Sequence, residues 1–469
     1  MGISQYLWST ARDLRANVMP RIEDGTAREK LHNGLRLLTW VANALEEAAP
    51  DGSVPPGPGK MVADTDRLSG PAENAAAWRT SGTAIAEAAK SISATDSATA
   101  LEQHADVIEW EKAALDQVVA RVDAIEYGDL PSDSLTGAEI DRDRLQDYLR
   151  ERCGNPGLTI ASFTPVHGGR SRQTALFSVE GASTMPADMV VQRGLPGGGG
   201  GGGFVKEDVQ FDLMKLLYDA GVRVPEPVLI ENDESHLGAP FLLTARASGS
   251  CAEPDFWLVP DDPSLVSDLA REMALLHSQP IATIEARLPQ SRQRYDVEGW
   301  REELETFARQ WDEMAHWPSV TMSAAIAWMR ANVDCLEDRR TLVHNDFLFH
   351  NIMADGGRIT AVLDWEMTSI GHPGEDLGYA YPQISRCGDW STFLDAYRTA
   401  GGPFISQRQI DYFALRAGLR LMILVMRGGR DAFEKGLADG VLPATAGAHF
   451  SQRLLHRIAT ILADVRARG

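Results

Sequence analysis

The stretch that decides the fold is TLVHNDFLFHNIMADGGRITAVLDWEMTSIGHPGEDLGY, residues 341–379. Its centre, Asp355-Gly356-Gly357, separates the apolar runs NIMA and RITAVLD, the pattern of a β-hairpin. Pairing Ala354 with Gly357 or Arg358 and counting outward puts Asp364 opposite Phe347 or Leu348. Asp346 and Asp364 then meet at the open end of the ribbon, with Asn351 nearer the turn. Two carboxylates and one amide in so short a span form an oxygen-rich site for a hard divalent cation and a proton acceptor. His344, His350 and His372 suggest a metal triad as another reading, but the spacing of the acids explains the run better.

The interval from Asp346 to Asn351 is that of the kinase catalytic loop, H-R-D-L-x-x-x-N, here His344-Asn345-Asp346 followed by Asn351. Asp364, in LDWE, stands where a protein kinase has the metal-binding Asp of D-F-G. The whole set resembles the aminoglycoside phosphotransferase and choline kinase-like family, whose pattern is H-G-D-x-x-x-x-N followed by I/L-D-W/F-E. The resemblance extends to both sides. GGRSRQT (168–174) looks like the family's nucleotide loop and PFLLTARASG (240–249) like its hinge. LAREMALLH (269–277) looks like the helix after the hinge, and GHPGEDLGY (371–379) like the G-D-P-x-x-D-L stretch. About residues 139–430 are covered.

The resemblance implies an α+β, bilobal protein kinase-like fold, with a small β-rich N-lobe over residues 135–250 and a mostly helical C-lobe over 251–469. It implies an ATP- and Mg²⁺-dependent O-phosphotransferase acting on a hydroxyl of a small molecule. Phosphoryl transfer relies on positioning and charge stabilisation more than on covalent chemistry. Asp346 would receive the acceptor's proton, and Asn351 and Asp364 would hold Mg²⁺. Gly168 and Gly169 would let the backbone approach the phosphates, with Ser171 and Thr174 adding hydrogen bonds. Backbone groups of Thr244, Ala245 and Arg246 would meet the adenine. No lysine occurs between Lys112 and Lys206, so Arg193 in VVQR takes the place of the strand-3 lysine. Its helical partner would be Gln210, where the family has glutamate, or Glu207 one turn earlier. Asn345 replaces a glycine of the family pattern.

The rest of the chain sets limits. The 469 residues are too many for one ordinary domain. Residues 1–130 read as a helical bundle without a catalytic motif, from the spacing of Leu31, Leu35, Leu38 and Leu45 and the stretches Asn74–Ile92 and Leu101–Ile125. The bundle would serve as a homodimer surface, a lid, or a dock for a partner subunit. A loop at 128–138 marks the boundary, and the seven glycines 197–203 read as a surface connection with no geometry for cradling phosphate. No apolar run is long enough for a membrane span and no secretion signal opens the chain. Four scattered cysteines argue against a disulfide scaffold and fit a reducing cytoplasm.

The net charge is −21, and no basic patch is evident to engage nucleic acid. Residues 151–200 carry only 3 acids against 4 bases, whereas 201–400 carry 33 against 16. The carboxylate-poor stretch is therefore the expected phosphate side, with Arg170, Arg172 and Arg193 available. Trp300, Trp311, Trp317 and Trp328 fall where the family builds its acceptor pocket; at helical spacing they read first as core packing, and any that line the pocket would favour an aromatic, phenolic or hydroxyacyl acceptor over an aminoglycoside or choline. A nucleotide-binding, catalytically weak partner subunit is the alternative function.

Overall fold

The structure, a computed structural model, describes residues 89–92, 105–123, 140–166, 172–182, 184–194, 205–253, 256–288, 294–314, 319–387, 390–434 and 441–468. Gly168, Gly169, Ser171, the glycine run, Trp317 and most of the expected N-terminal bundle lie outside these residues. The chain divides into two compact units. One comprises 132–295 and 338–410; the other comprises 1–131, 296–337 and 411–469. The segments 296–337 and 411–469, read above as part of a C-lobe, thus group with the N-terminal residues.

In the unit that carries the hairpin, five strands form an antiparallel sheet in the order β1-β2-β3-β5-β4. They are β1 (Thr159–Val166), β2 (Arg172–Glu180), β3 (Asp188–Gly194), β4 (Pro227–Glu231) and β5 (Phe241–Ala245). Alternation along these strands sends Ala175, Phe177, Met189, Val191, Phe241 and Leu243 to one face. Leu145, Tyr148 and Leu149 of helix α2 (Arg142–Cys153) cover that face. Asp141 caps α2 by accepting from the amides of Asp143 and Arg144, and Gly154 ends it in the left-handed region at φ 61°. Helix α3 (Glu207–Asp219) buries Gln210, Leu213, Met214 and Leu217 and packs on β4 and β5.

The hairpin is formed by β8 (Ile352–Asp355) and β9 (Arg358–Val362), with β6 (Ser250–Cys251) on the other edge of β8. Gly356 and Gly357 both have positive φ, 55° and 76°, as a two-residue primed turn requires. The register differs from the expected one. Asp355 pairs with Arg358, Ala354 with Ile359 and, after a bulge, Met353 with Ala361 and Ile352 with Val362. The turn and the bulge together move Asp364 two to three positions along, level with His350 rather than Phe347 or Leu348. Short strands β7 (Thr341–Val343) and β10 (Ser369–Gly371) pair beside it. Helices α4 (Ser264–His277), α7 (Gly374–Cys387) and α8 (Trp390–Thr399) also belong to this unit.

The described part of the other unit is helical. It contains α1 (Ala105–Asp123), α5 (Val297–Met314), α6 (Val320–Asn332), α9 (Gln407–Glu434) from Asp411 onward, and α10 (Val441–Arg468). Helix α1 packs against α6 and α10. Glu111 of α1 is buried and accepts from the Thr321 amide at 2.7 Å, so that it caps α6 from outside. Among the described residues no helix is long and apolar enough to cross a membrane.

Candidate active site

The loop after β7 is fixed from below by one carboxylate. Asp376 on α7 is fully buried and accepts from the backbone amides of His344 at 2.9 Å and Asn345 at 2.7 Å. Burial opposes its charge, but His277 and those amides outweigh burial and hold it below the ordinary carboxylate range. His277 Nε2 lies 3.1 Å from Asp376 and its Nδ1 2.7 Å from the Tyr397 hydroxyl. Asn345 takes φ 65°, which explains the glycine of the family pattern: asparagine is among the few residues that enter the left-handed region at modest cost. Its amide also donates to Met367 O at 3.1 Å and Ser369 Oγ at 2.9 Å, which a glycine would not do.

His344 props the loop. Its Nδ1 accepts from the Asp346 amide at 3.2 Å, so Nε2 carries the proton and donates to Leu363 O at 2.9 Å. Burial keeps this imidazole neutral by lowering its pKa, against the pull of Asp376 and Asp346. Trp365 stacks edge-on against it at 4.7 Å.

Asp346 and Asn351 come together, as the spacing requires. Asn351 Nδ2 donates both to Asp346 O at 3.0 Å and to Asp346 Oδ2 at 2.9 Å, which leaves its carbonyl oxygen directed elsewhere. Asp346 Oδ1 accepts from the Tyr379 hydroxyl and lies 3.3 Å from His350 Nε2. Burial opposes the charge of Asp346, but His350 and Tyr379 together hold its pKa well below the usual range. Leu363 donates its amide to Asn351 O at 2.8 Å, which brings the next residue, Asp364, to the same end.

Asp364 also has positive φ, 62°, and opens the short turn Trp365–Met367. Its pKa is pushed up to about 7, first by burial and then by the charges of Glu366 and Asp346, with Arg172 pulling the other way. A carboxylate crowded by two others, beside an amide oxygen directed elsewhere, is a donor set that a hard cation would relieve. Among the described residues no group of three or more His, Cys, Asp or Glu side chains is placed to hold a metal, so His344, His350 and His372 do not assemble as a triad. Asn351 and Asp364 supply two protein oxygens, in keeping with Mg²⁺, which takes its remaining ligands from phosphate and water. The residues therefore fit the cation.

The arginines divide differently from the expectation. Arg193 shares the face of Met189 and Val191, where its guanidinium donates to Leu237 O at 2.6 Å and to Gln173. Burial lowers its pKa, as does the neighbouring charge of Arg144. Arg172 points to the opposite face and is the residue that meets α3. It donates to Gln210 Oε1 and to Val205 O at 3.2 Å, and lies 3.7 Å from Glu207 and 3.5 Å from Glu366. Gln210 and Glu207 thus both serve Arg172. Thr174 is on the face of Arg172, and Thr244 joins it through the pairings Leu176–Val190 and Val190–Thr244. The amides of Ala245 and Arg246 are engaged by Glu226 O at 2.8 Å and Asp188 O at 3.0 Å.

Sequence reasoning missed Tyr379 and Glu366, and it weighed His350 as a member of a metal triad rather than as a neighbour of Asp346. An i, i+4 count from Asp346 would have flagged His350. Phe256, whose ring lies 5.1 Å from His350 and 6.3 Å from Tyr379, carried no sequence signal. Trp300, Trp311 and Trp328 are buried helix-packing residues of the other unit. Trp300 meets Phe413 edge-on at 5.1 Å.

A family model described as "Phosphotransferase enzyme family" matches residues 162–417, more than half of the chain. Acyl-CoA dehydrogenase family member 11 of Gallus gallus is 30% identical over 203 residues, 40% of this chain and 24% of that protein. The Homo sapiens protein of that name is 25% identical over 256 residues, 51% of this chain and 31% of that one. Hygromycin-B 4-O-kinase of Escherichia coli is 29% identical over 169 residues, 32% of this chain and 47% of that enzyme. The chain thus spans a quarter to a third of the dehydrogenase relatives and about half of the kinase. A crystal structure from Ralstonia eutropha, assigned provisionally as an aminoglycoside phosphotransferase, superposes with a TM-score of 0.51 at 17% identity, covering 70% of this chain and 99% of that one. That likeness shows the fold, α+β and protein kinase-like. With its catalytic-loop spacing, its LDWE turn and the family match over both, the chain belongs to the phosphotransferase enzyme family.

Proposed function

We propose that this chain is an ATP- and Mg²⁺-dependent O-phosphotransferase that phosphorylates a hydroxyl of a small molecule. The observation that carries the proposal is the meeting of Asp346, Asn351 and Asp364 at one end of the β8–β9 hairpin. Asp346, held ionised by its neighbours, would accept the proton of an entering hydroxyl as that oxygen bonds to the γ-phosphorus and the bond from phosphorus to the bridging oxygen of ADP breaks. Asn351 and Asp364 would hold Mg²⁺, which when bound would neutralise charge on the phosphate oxygens. Arg172 supplies the fixed cation on the nucleotide side, oriented by Gln210 and Glu366. Thr174 and Thr244 line the sheet face that the nucleotide covers. Purine contacts from residues 244–246 fall to carbonyls, because the Ala245 and Arg246 amides are engaged.

The acceptor class follows less directly. Trp300, Trp311 and Trp328, which would favour an aromatic acceptor if they lined its pocket, are buried packing residues of the other unit. Aromatic side chains do stand beside Asp346, namely Phe256 and Tyr379, with Trp257 packed on Phe256 at 4.8 Å. A hydroxyacyl thioester is the first acceptor to try, since the dehydrogenase relatives carry acyl-CoA in their name. Thiols outside any disulfide at Cys153 and Cys251 suit work in the cytoplasm.

The test is ATP consumption against a panel of hydroxylated metabolites, hydroxyacyl-CoA esters included, with Asp346→Asn beside the wild type. Loss of about a thousandfold in kcat is expected of the variant. Full activity in Asp346→Asn on the true acceptor would sink the proposal.

A further inference from the structure

The bonds around Asp346 leave an acceptor hydroxyl little room. A carboxylate oxygen offers two lone-pair directions; on Oδ1 the Tyr379 hydroxyl takes one, and His350 Nε2 crowds the same oxygen at 3.3 Å. Oδ2 accepts from Asn351, which belongs to the cation side of the site. Tyr379 is held in place: its side chain is buried, Phe256 packs against it, and Phe256 also packs against His350. It sits three residues after Asp376 on α7, so the helix that fixes the loop amides also aims the hydroxyl.

We propose that Tyr379 is a gate on the base: its hydroxyl holds the place on Asp346 Oδ1 that the acceptor hydroxyl takes over, and so withholds Asp346 from water. The inference rests on the reading of Asp346 as the base of phosphoryl transfer. Water is the competing acceptor. Its oxygen would bond to the γ-phosphorus while the bond from that phosphorus to the bridging oxygen of ADP breaks. Its proton would pass to Asp346, giving ADP and inorganic phosphate. A water molecule at Oδ1 replaces the tyrosine bond like for like and gains nothing further. A true acceptor adds the contacts of its own body, with the Phe256 and Trp257 rings at hand, and these turn Tyr379 aside.

The experiment needs no acceptor. Phosphate release from Mg-ATP is followed for the wild type, Tyr379→Phe, Asp346→Asn and the double variant, and each is melted with and without Mg-ATP. Phenylalanine keeps the ring and its packing and removes only the hydroxyl, so Tyr379→Phe should release phosphate about tenfold faster than the wild type. Asp346→Asn should abolish that gain in the double variant. Damage to the fold slows hydrolysis, so a rise is a readout that a merely structural role does not give. No rise in Tyr379→Phe, with its Mg-ATP melting shift intact and Asp346→Asn still slowing the wild type, overturns the gate alone. Loss of the Mg-ATP shift in Tyr379→Phe overturns it too, because the tyrosine would then serve nucleotide binding. Hydrolysis indifferent to Asp346→Asn in both backgrounds overturns the role of Asp346 and the gate with it.

Discussion

Replacing Arg172 with glutamine removes a guanidinium that touches Gln210, Glu207, Glu366 and the Val205 carbonyl. The expected result is a KM for ATP raised about tenfold or more, since a charge-assisted contact to phosphate is lost along with the anchor that aims it. Arg193→Gln should leave that KM within about twofold and cost instead about 1–3 kcal/mol of stability, because it leaves the Leu237 carbonyl and Gln173 without their donor. Paired kinetics and urea melts separate the two; a larger KM effect at Arg193 would reverse the assignment. The correct parity was available in the sequence. Met189, Val191 and Arg193 are two apart, and period-two alternation places the arginine with the apolar pair. Motif matching overrode alternation because VVQR looks like the end of a kinase strand 3. Arg172 was harder to weigh, since its contacts to Glu366 bridge residues far apart in the chain.

At the scale of elements, the catalytic loop depends on a helix that follows it in sequence. Asp376→Asn should lower kcat at least tenfold with little change in the KM for ATP, since the amides of His344 and Asn345 lose an ionic acceptor. The same substitution should alter the acid limb of stability. Because the native pKa of Asp376 is depressed, its contribution is present above the unfolded value near 3.8 and is lost as pH falls below it. Urea midpoints measured from pH 7 down to 3 should therefore fall more gently in the variant than in the wild type. A second element-level constraint lies where the chain crosses toward β6. Gly249 has φ 85°, and a Cβ there would run into the Ala354 carbonyl. Gly249→Ala should cost about 1–3 kcal/mol or more, read as a lowered melting temperature. The elements themselves were legible: the strand and helix patterns at 159–166, 172–180, 188–194 and 207–219 follow apolar periodicity. The hairpin register was not, because a bulge at Met353/Ala354 leaves no mark in composition.

Over the whole molecule, the division into units was the least legible feature. Residues 296–337 and 411–469 join the N-terminal residues through contacts distant in sequence, which local pattern does not encode. Helix α1 buries Val107, Ile108 and Leu115 and packs on α6 and α10. Expression of residues 135–469 alone should therefore give aggregated protein, because those two helices lose their cover. Soluble, monomeric 135–469 with unchanged melting would refute this. Glu111 offers a finer probe of the same unit. Burial raises its pKa despite the hydrogen bonds from residues 319–321, so its contribution to stability shrinks as pH rises above the unfolded value near 4.5. Glu111→Gln keeps an acceptor for the Thr321 amide without the buried charge, and it should equal or exceed the wild type in urea midpoint at pH 8. The grip of Asp376 on two loop amides has a consequence of another kind. Surface loops normally trade their amide protons for deuterium quickly, yet His344 and Asn345 have theirs bonded to a carboxylate sealed from solvent. Those two protons should exchange as slowly as the protein's most protected strands, so that the loop opens only when the fold around it does.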